Sequence, residues 1–369
     1  MGQNGIREPR KVQVANGQKD ELKAAPARGG QTQAAPSTSG QQRITFRRDN
    51  RLMANILVTG AAGFIGSHTA ELLVAGGHRV IGVDNFRTGR RSNLEMLGGN
   101  PAFQLFERDV ARRGELDAVV AESMPDAIIH LAALVSVRQS IDDPELNFLS
   151  NHKATFEVAE AARRHGVARV VFASSAAVYG DSERLPLNEG DPGHPISPYG
   201  AAKLSSESLL LGHAAAYGFT VCCLRYFNVY GPRQDPSSPY SGVITILLRD
   251  FMENQPFTLY GDGNQTRDFV HVGDAARANA LAATRPNLKS GAMNICTGRQ
   301  TSIQALLEIV SSQFPSAPGW ERAPARTGDI LHSLGDPAKA RAGLDFSPRT
   351  EIGAGLAEMI RTRESAESR

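Results

Sequence analysis

Short apolar runs alternate with helix-like segments along most of this chain, from Asn55 onward. The first run, ILVTG, leads through a glycine-rich turn into SHTAELLVAGG. Later strand-like runs are RVIGVD, AFQLFERDV, DAIIHLAAL, VARVVFASS and FTVCCLRYFNVYG, and helical segments such as NFLSNHKATFEVAEAARRHG separate them. Because strands that alternate with helices form parallel sheets, this order over about 175 residues predicts an α/β fold with a doubly wound parallel sheet.

The pattern changes after Gly231, where proline and glycine become more frequent, as in GPRQDPSSPYSG. We expect residues 53–230 and about 265–286 to form the sheet domain, and about 231–264 with 287–362 to form a smaller C-terminal lobe. Ligands of open α/β sheets bind outside the carboxyl ends of the strands. A lobe at that edge would close over the crevice and bind substrate.

Residues 1–52 have a different composition, rich in Gln, Gly, Ala, Ser and Pro, as in ARGGQTQAAPSTSGQQ. Few large apolar residues are available there to offset the entropy cost of ordering, so we predict a disordered basic extension. It is either an interaction or targeting arm or an over-extended gene start, because Met53 begins a well-formed domain with MANILVTG.

The charge of the chain is unevenly distributed. Residues 1–53 hold ten Lys and Arg against four Asp and Glu, a charge of +6, whereas the whole chain carries +2 and the remainder therefore −4. A mildly acidic body argues against nucleic acid as its main partner. No apolar run approaches the ~20 residues that span a bilayer, so we expect no membrane association.

Three cysteines, Cys222, Cys223 and Cys296, fit neither a disulfide framework nor a zinc-site spacing. We predict buried reduced thiols, no metal site and a cytoplasmic protein. The first residues, MGQNGIREPR, lack the apolar segment of a signal peptide.

The segment LVTGAAGFIGSH indicates a dinucleotide site. Gly60, Gly63 and Gly66 follow the first strand and open the first helix, where a tight turn and free helix N–H groups can receive a pyrophosphate. Asp84 ends the second strand and can accept hydrogen bonds from ribose hydroxyls, which favours NAD over NADP. Arginines just beyond it weaken that preference, and the simpler alternative is a glycine-rich turn that binds nothing.

The segment SPYGAAK carries the candidate acid–base pair, Tyr199 and Lys203. Residues at i and i+4 project from one face of a helix. A tyrosine acts as a base only if its pKa falls from about 10 toward neutrality, and a nearby ammonium and a bound nicotinamide ring would both lower it. The alternative is an exposed Tyr/Lys helix face.

The G-x-x-G-x-x-G spacing resembles the extended short-chain dehydrogenase/reductase family, and the resemblance covers residues 54 to about 360. It implies that Lys203 also holds the nicotinamide ribose, and it places the catalytic serine at Ser175, before AAVYG, with Ser174 as the alternative. Further cofactor contacts implied by it are Phe64, Ile65, Asn85, Asp109 (at the adenine), Val110, Leu131, Ala132, Ala133, Asn151 and Phe227.

Within that family, SSAAVYG, SPYGAAK, RYFNVYGP, GDGNQTRDFVHV and RTGD are similar to nucleotide-sugar 4-epimerases, especially those of UDP-glucose and UDP-galactose. Dehydratases and decarboxylases of the family carry carboxylates where this chain has Ala176 and Ala177. The resemblance therefore implies oxidation at carbon 4 of a UDP-sugar, rotation of the 4-keto sugar, and return of the hydride to its opposite face.

The resemblance also implies a substrate site that grips the UDP and leaves the sugar loose. It assigns this grip to Asn228, Arg267, Arg326 and Asp329. Arginine suits a diphosphate because its planar group donates two parallel hydrogen bonds. A small residue beside carbon 2, Ser333 or, with the alignment moved by one, His332, would also admit UDP-GlcNAc and UDP-GalNAc.

Three other functions stay open. UDP-glucuronate 4-epimerisation would require a pocket for the sugar carboxylate, to which Arg138 could contribute. A non-catalytic NAD(H)-sensing protein usually loses the Tyr or the Lys, and the basic extension alone could bind nucleic acid. The resemblance also implies a homodimer through two helices per subunit, for which the segments 147–166 and 204–218 are candidates.

Overall fold

A computed structural model of the chain describes residues 53–235, 242–314, 316–325 and 330–367. Its strands are β1 (Asn55–Thr59), β2 (Arg79–Asp84), β3 (Phe103–Glu107), β4 (Ala127–His130), β5 (Arg169–Ser175), β6 (Thr220–Tyr226), β7 (Asn228–Tyr230), β8 (Phe257–Tyr260), β9 (Thr266–Arg267), β10 (Phe269–His271), β11 (Gly291–Ile295), β12 (Thr301–Ser302) and β13 (Trp320–Ala323). The predicted extension, residues 1–52, lies outside the described residues.

The α-helices are α1 (Phe64–Ala75), α2 (Glu115–Ser123), α3 (Val137–Asp142), α4 (Pro144–Asn147), α5 (Ala154–His165), α6 (Pro198–Tyr217), α7 (Val243–Met252), α8 (Val272–Thr284), α9 (Ile303–Ser311), α10 (Ala338–Leu344) and α11 (Ile352–Glu367). A π-helical segment, Phe148–Lys153, joins α4 to α5, and 3-10 turns lie at Arg91–Leu97 and Ala176–Val178.

The central sheet has seven strands in the order β11-β6-β5-β4-β1-β2-β3. All neighbours pair in parallel, which confirms the predicted doubly wound sheet. The strand order reverses between β1 and β4, where Thr59 lies opposite His130 at the carboxyl ends. A crevice opens at such a reversal, and it is where doubly wound folds bind nucleotides.

Alternation along β1 separates two apolar cores. Leu57 packs on one face of the sheet with residues of α2, α5 and α6. Ile56 and Val58 pack on the other face with residues of α1 and α8. Strand β1 is therefore buried on both faces, which explains its continuous apolar sequence run.

A third apolar core lies among α7, α9, α11 and strand β8, with Leu247, Phe251, Leu259 and Leu306 in it. It belongs to the segments that we expected to form the smaller lobe. The two-domain division stays a prediction. One segment differs from it: we assigned residues from 287 onward to the lobe, but β11 pairs with β6 in the main sheet. Its run of buried residues is too short for periodicity to assign it to either unit.

Within the described ranges, no helix combines the length and the apolar character needed to cross a membrane.

Gly66→Ala tests the packing of α1 on the first turn. A Cβ at Gly66 would lie 1.9 Å from the carbonyl oxygen of Gly60, so the backbone must shift. We expect a loss of stability on the order of 1–3 kcal/mol, as in overpacked cores. Thermal unfolding followed by circular dichroism measures it.

The matched control is Gly212→Ala in α6, where a Cβ meets nothing within 4 Å. Removing a helical glycine there should raise stability by about 0.4–1 kcal/mol. Equal unfolding temperatures for wild type and Gly66→Ala would contradict the expected close packing.

Candidate active site

The glycine turn lies directly at the sheet crevice. Gly60 has φ +70° and donates its N–H to Val83 O at 2.8 Å. A Cβ on it would lie 2.8 Å from Ala132 N, so the turn and the loop after β4 approach at backbone distance. Gly63 is the N-cap of α1 and gives no side-chain cap, which leaves helix N–H groups for a ligand. This cradle fits a dinucleotide pyrophosphate.

Asp84 ties the glycine turn to the end of β2. Its carboxylate accepts hydrogen bonds from Ala62 N at 2.9 Å and Phe86 N at 2.8 Å. Burial raises the pKa of this carboxyl, and the backbone hydrogen bonds oppose that shift. Each carboxylate oxygen retains acceptor capacity, as a contact to ribose hydroxyls requires.

A buried chain of hydrogen bonds fixes the loop after β4. Thr59 Oγ1 accepts the N–H groups of Leu131 and Ala132, both at 3.2 Å, and lies 2.8 Å from His130 Nδ1. Because burial, with the nearby Lys203, lowers the pKa of His130 to about 3, the ring is neutral. The threonine proton then goes to Nδ1, and Nε2–H points at Thr155 Oγ1, 3.3 Å away.

Asn151 has a different environment from the one we expected. Its amide accepts from Leu134 N and donates to Leu134 O, both at 3.0 Å, and donates to Asn147 Oδ1 at 2.7 Å. Asn147 in turn donates to Pro198 O, the first residue of α6, at 3.1 Å. The predicted cofactor contact stays a prediction, while the observed role of this amide is to join the β4 loop to the helix of Tyr199.

The other predicted cofactor residues lie around the same crevice edge. Phe64 and Ile65 form the first turn of α1, and Ala133 continues the β4 loop. Asn85 is exposed and accepts from Arg87 N, while Asp109 accepts from Ala111 N at 2.9 Å. Val110 and Phe227 are buried.

Ser175 and Tyr199 come together as predicted. Ser175 ends β5 and caps the following 3-10 turn by accepting from Ala177 N at 3.1 Å. Its side chain lies close enough to the hydroxyl of Tyr199 to influence the pKa of that tyrosine. Burial raises the pKa of Tyr199 above its ordinary 10.0, and the Ser175 side chain opposes the rise. The predicted fall toward neutrality therefore requires positive charge against the ring.

Lys203 supplies a cation near that ring. Its Nζ lies 5.8 Å from the Tyr199 ring centroid and 4.9 Å from that of Phe172, and it donates to Ala173 O at 2.8 Å. Burial lowers the pKa of Lys203 to about 7, whereas the charge of Glu207 raises it. The two predicted residues share one helix face, so the exposed-face alternative is wrong: Tyr199 is 8% and Lys203 3% exposed.

Behind this group lies a buried ion pair that the motifs did not indicate. Arg225 donates to Glu207 Oε1 at 2.9 Å and to Oε2 at 2.7 Å, and Ser174 Oγ donates to Oε1 at 2.5 Å. Ser174 is thus occupied, which leaves Ser175 as the serine that contacts Tyr199. The i,i+4 spacing of Lys203 and Glu207 was the one sequence feature that could have indicated that Glu207 lies near the lysine.

Some of the predicted substrate residues lie within the described ranges of the structure and others lie outside them. Asn228 begins β7, where it is exposed and donates its backbone N–H to Asp268 O. Arg267 lies in β9 and donates to Thr266 O at 2.9 Å. Ser333 is half-buried and donates its N–H to Thr266 O at 3.1 Å, whereas His332 is exposed. Arg326 and Asp329 lie outside the described residues.

Asp268, between Arg267 and Phe269, is a second residue that the motifs did not single out. Its buried carboxylate accepts from Thr297 N at 2.7 Å, Thr297 Oγ1 at 2.6 Å and Gly298 N at 2.9 Å. It therefore fixes the strand that carries Arg267 to the loop after β11. Its position inside GDGNQTRDFVHV was the sequence signal.

Among the described residues, no group of three or more His, Cys, Asp or Glu side chains could hold a metal ion. The described crevice offers a dinucleotide cradle and, beside it, a serine, a tyrosine and a lysine that can hold and move a proton.

Comparisons with known proteins agree with this geometry. A family profile for the NAD dependent epimerase/dehydratase family matches residues 56–296. The UDP-glucose 4-epimerase of Mycolicibacterium smegmatis is 36% identical over 82% of this chain and 96% of its own length.

Two solved structures, each covering 85% of this chain and 99% of their own, are similarly related. They are a UDP-N-acetylglucosamine 4-epimerase from Methanobrevibacter ruminantium in complex with UDP-N-acetylmuramic acid (34% identity, TM-score 0.80) and a Thermus thermophilus UDP-glucose 4-epimerase in complex with NAD (36%, 0.77). The chain thus belongs to the NAD dependent epimerase/dehydratase family, and it is an NAD-dependent epimerase.

Proposed function

We propose that this protein interconverts the 4-epimers of UDP-hexoses: UDP-glucose with UDP-galactose, and UDP-GlcNAc with UDP-GalNAc. The observation that carries the proposal is the buried pair of Tyr199 and Lys203 on one face of α6, with Ser175 at the adjoining end of β5 and the glycine cradle at the same edge of the sheet. Alanines at 176 and 177 provide no carboxylate for an elimination. An oxidation at carbon 4 is then followed only by reduction of the same carbon.

The protein residues divide the chemistry as follows. Tyr199, with Ser175 between it and the substrate, takes the proton of the 4-hydroxyl and later returns it. Lys203 stabilises the phenolate and orients the nicotinamide ribose. NAD, held by the glycine turn and Asp84, would supply the hydride acceptor and donor for carbon 4. The proximity of the Ser175 side chain to the Tyr199 hydroxyl favours proton transfer between them.

The substrate grip is proposed from the relatives and from the lobe. Similar proteins are named for UDP-glucose and UDP-N-acetylglucosamine, which supports a UDP-sugar. Asn228 begins β7, which pairs with β10, and Arg267 ends β9, which pairs with β12. Asp268 joins them, because its carbonyl accepts from Asn228 N and its carboxylate accepts from Thr297 N. We propose that these residues, with Arg326 and Asp329, hold the uridine and diphosphate while the sugar turns.

The deciding assay incubates purified protein, without added NAD, separately with UDP-galactose, UDP-GalNAc and UDP-galacturonate, and resolves the 4-epimers by chromatography. Conversion of the first two supports the proposal. Conversion of the acid alone would establish the UDP-glucuronate alternative. For that alternative Arg138 is the candidate carboxylate partner, but its side chain is 73% exposed and pairs with Asp142 at 3.0 Å.

Tyr199→Phe should lower kcat by about 10²–10⁴-fold with each accepted substrate, because the proton acceptor is lost. The ring is kept, so NAD content, measured by absorbance after denaturation, should equal that of wild type. Retained turnover in a variant with full NAD content would remove Tyr199 from the reaction.

Ser333→Tyr should reduce turnover of UDP-GalNAc by about tenfold or more and leave UDP-galactose conversion largely unchanged, because the larger ring fills the space beside carbon 2. His332→Tyr is the matched control, since neighbouring residues on an extended backbone face opposite sides. If the control loses UDP-GalNAc turnover and Ser333→Tyr does not, position 332 lies beside the sugar.

We also propose a homodimer through α5 and α6. Four large apolar side chains on these helices and their flanks are at least one-third exposed: Phe148 (53%), Leu149 (37%), Phe156 (42%) and Tyr217 (44%). The edge of Phe156 meets His213 of α6, so the two helices present one surface. Clustered exposed apolar side chains mark interaction sites.

Phe148→Glu combined with Phe156→Glu should therefore give a monomer in sedimentation velocity, because both charges would be buried at the interface. Met96→Glu, at a 78% exposed apolar position on a 3-10 turn, should leave the dimer intact. A monomeric wild type would refute the dimer directly.

A further inference from the structure

Glu207 of α6 and Arg225 of β6 form a buried ion pair that has no part in the proposed proton and hydride transfers. The side chains are only 4% and 9% exposed. Removing such charges from water costs several kcal/mol per ion, and apolar replacements of buried ion pairs are often neutral or stabilising. The presence of this ion pair is therefore weak evidence that it stabilises the fold, and we look for its role in the active site.

The carboxylate of Glu207 is fixed from two strands. Arg225 binds both of its oxygens, and Ser174 donates to one of them. Ser174 and Arg225 face each other in the register of β5 and β6, immediately before Ser175. The guanidinium also lies 4.8 Å from the ring centroid of Tyr179, which holds it from a third side.

Glu207 follows Lys203 by one turn of α6, so the carboxylate lies on the same helix face as the ammonium. Because Ser174 and Arg225 occupy the carboxylate, its effect on Lys203 is through charge. The Lys203 ammonium can thus donate to Ala173 O and keep other donors for the tyrosine and the cofactor.

The other titratable groups around Lys203 are neutral near pH 7. His130 of β4 has its pKa lowered to about 3 by burial and by Lys203 itself. Burial raises the pKa of Tyr199, brings that of Tyr179 to about 12, and raises that of Cys223, on β6, well above its ordinary value. The charge beside Lys203 therefore comes from the ion pair of Glu207 and Arg225.

We propose that Glu207 is a positioning residue for the catalytic group: clamped by Arg225 and Ser174, it keeps the Lys203 ammonium charged without taking its hydrogen bonds. The charge of Arg225 moderates this effect, so the pair sets how firmly Lys203 holds its proton. The kinetic consequence rests on the proposed epimerisation, whereas the effect on Lys203 itself does not.

The test titrates Lys203 by NMR in the NAD-loaded full chain labelled with ¹³C at lysine Cε. The chain has seven lysines, and the Lys203→Arg spectrum identifies the signal. Glu207→Gln should lower the midpoint by about one pH unit, because an anion near the ammonium is lost. Arg225→Gln should raise it, since the carboxylate then acts unopposed, and the double variant should lie between the two.

A merely structural role of the ion pair would not move the Lys203 titration midpoint in opposite directions when Glu207 and Arg225 are replaced separately. Ser174→Ala, which removes a hydrogen bond and no charge, should leave the midpoint unchanged. If Glu207→Gln does not fold, the direction of the Arg225→Gln shift decides. An unchanged midpoint in Glu207→Gln, or a lowered one in Arg225→Gln, would overturn the proposal.

Kinetics provide the second measurement. The alkaline limb of the pH profile of kcat should move to lower pH in Glu207→Gln by the same amount as the NMR midpoint. If wild type does not epimerise any UDP-sugar, the proposed function fails, and the NMR midpoints still decide the role of Glu207.

Discussion

The close backbone approach at the carboxyl ends of β1 and β4 is the constraint on which the site depends. Gly60 has no room for a side chain beside Ala132, and Gly66 has none above Gly60. Because of these close contacts, α1 begins at the crevice with free N–H groups, and the loop after β4 lies next to the glycine turn. The position of the cradle therefore follows from the absence of a side chain at Gly60 and at Gly66.

Burial has two effects at the catalytic group. It concentrates the influence of each charge, because the medium around Tyr199 and Lys203 is poor in water. It also works against both charged forms, raising the pKa of the tyrosine and lowering that of the lysine. The neighbouring polar groups, Ser175 for one and Glu207 for the other, act in the opposite direction. The site is thus a balance between desolvation and specific partners.

The apolar pattern of the sequence was sufficient for the sheet, while the site residues came from short motifs and, for Ser175, from the family resemblance. Each of the apolar runs became a strand, and Ser175, Tyr199 and Lys203 met because a strand end and a helix start converge at one edge of a parallel sheet. Their pKa values were not predictable, because desolvation depends on packing from distant segments. The partners of Asn151 and Glu207 were missed for the same reason, because each contact joins residues of different elements. Strand β11 was assigned to the lobe because a short apolar run has the same sequence pattern in the sheet domain and in the lobe.

His130 and Lys203 are both buried bases beside the crevice, but their proton affinities differ by several orders of magnitude. The histidine stays neutral at physiological pH, so the donor and acceptor roles in its hydrogen bonds do not change. The protonation states of Tyr199 and Lys203, in contrast, can respond to what binds beside them. The fold thus keeps the hydrogen-bonded support of the crevice neutral, and a change in the cofactor's own charge during the reaction would act on the tyrosine and the lysine.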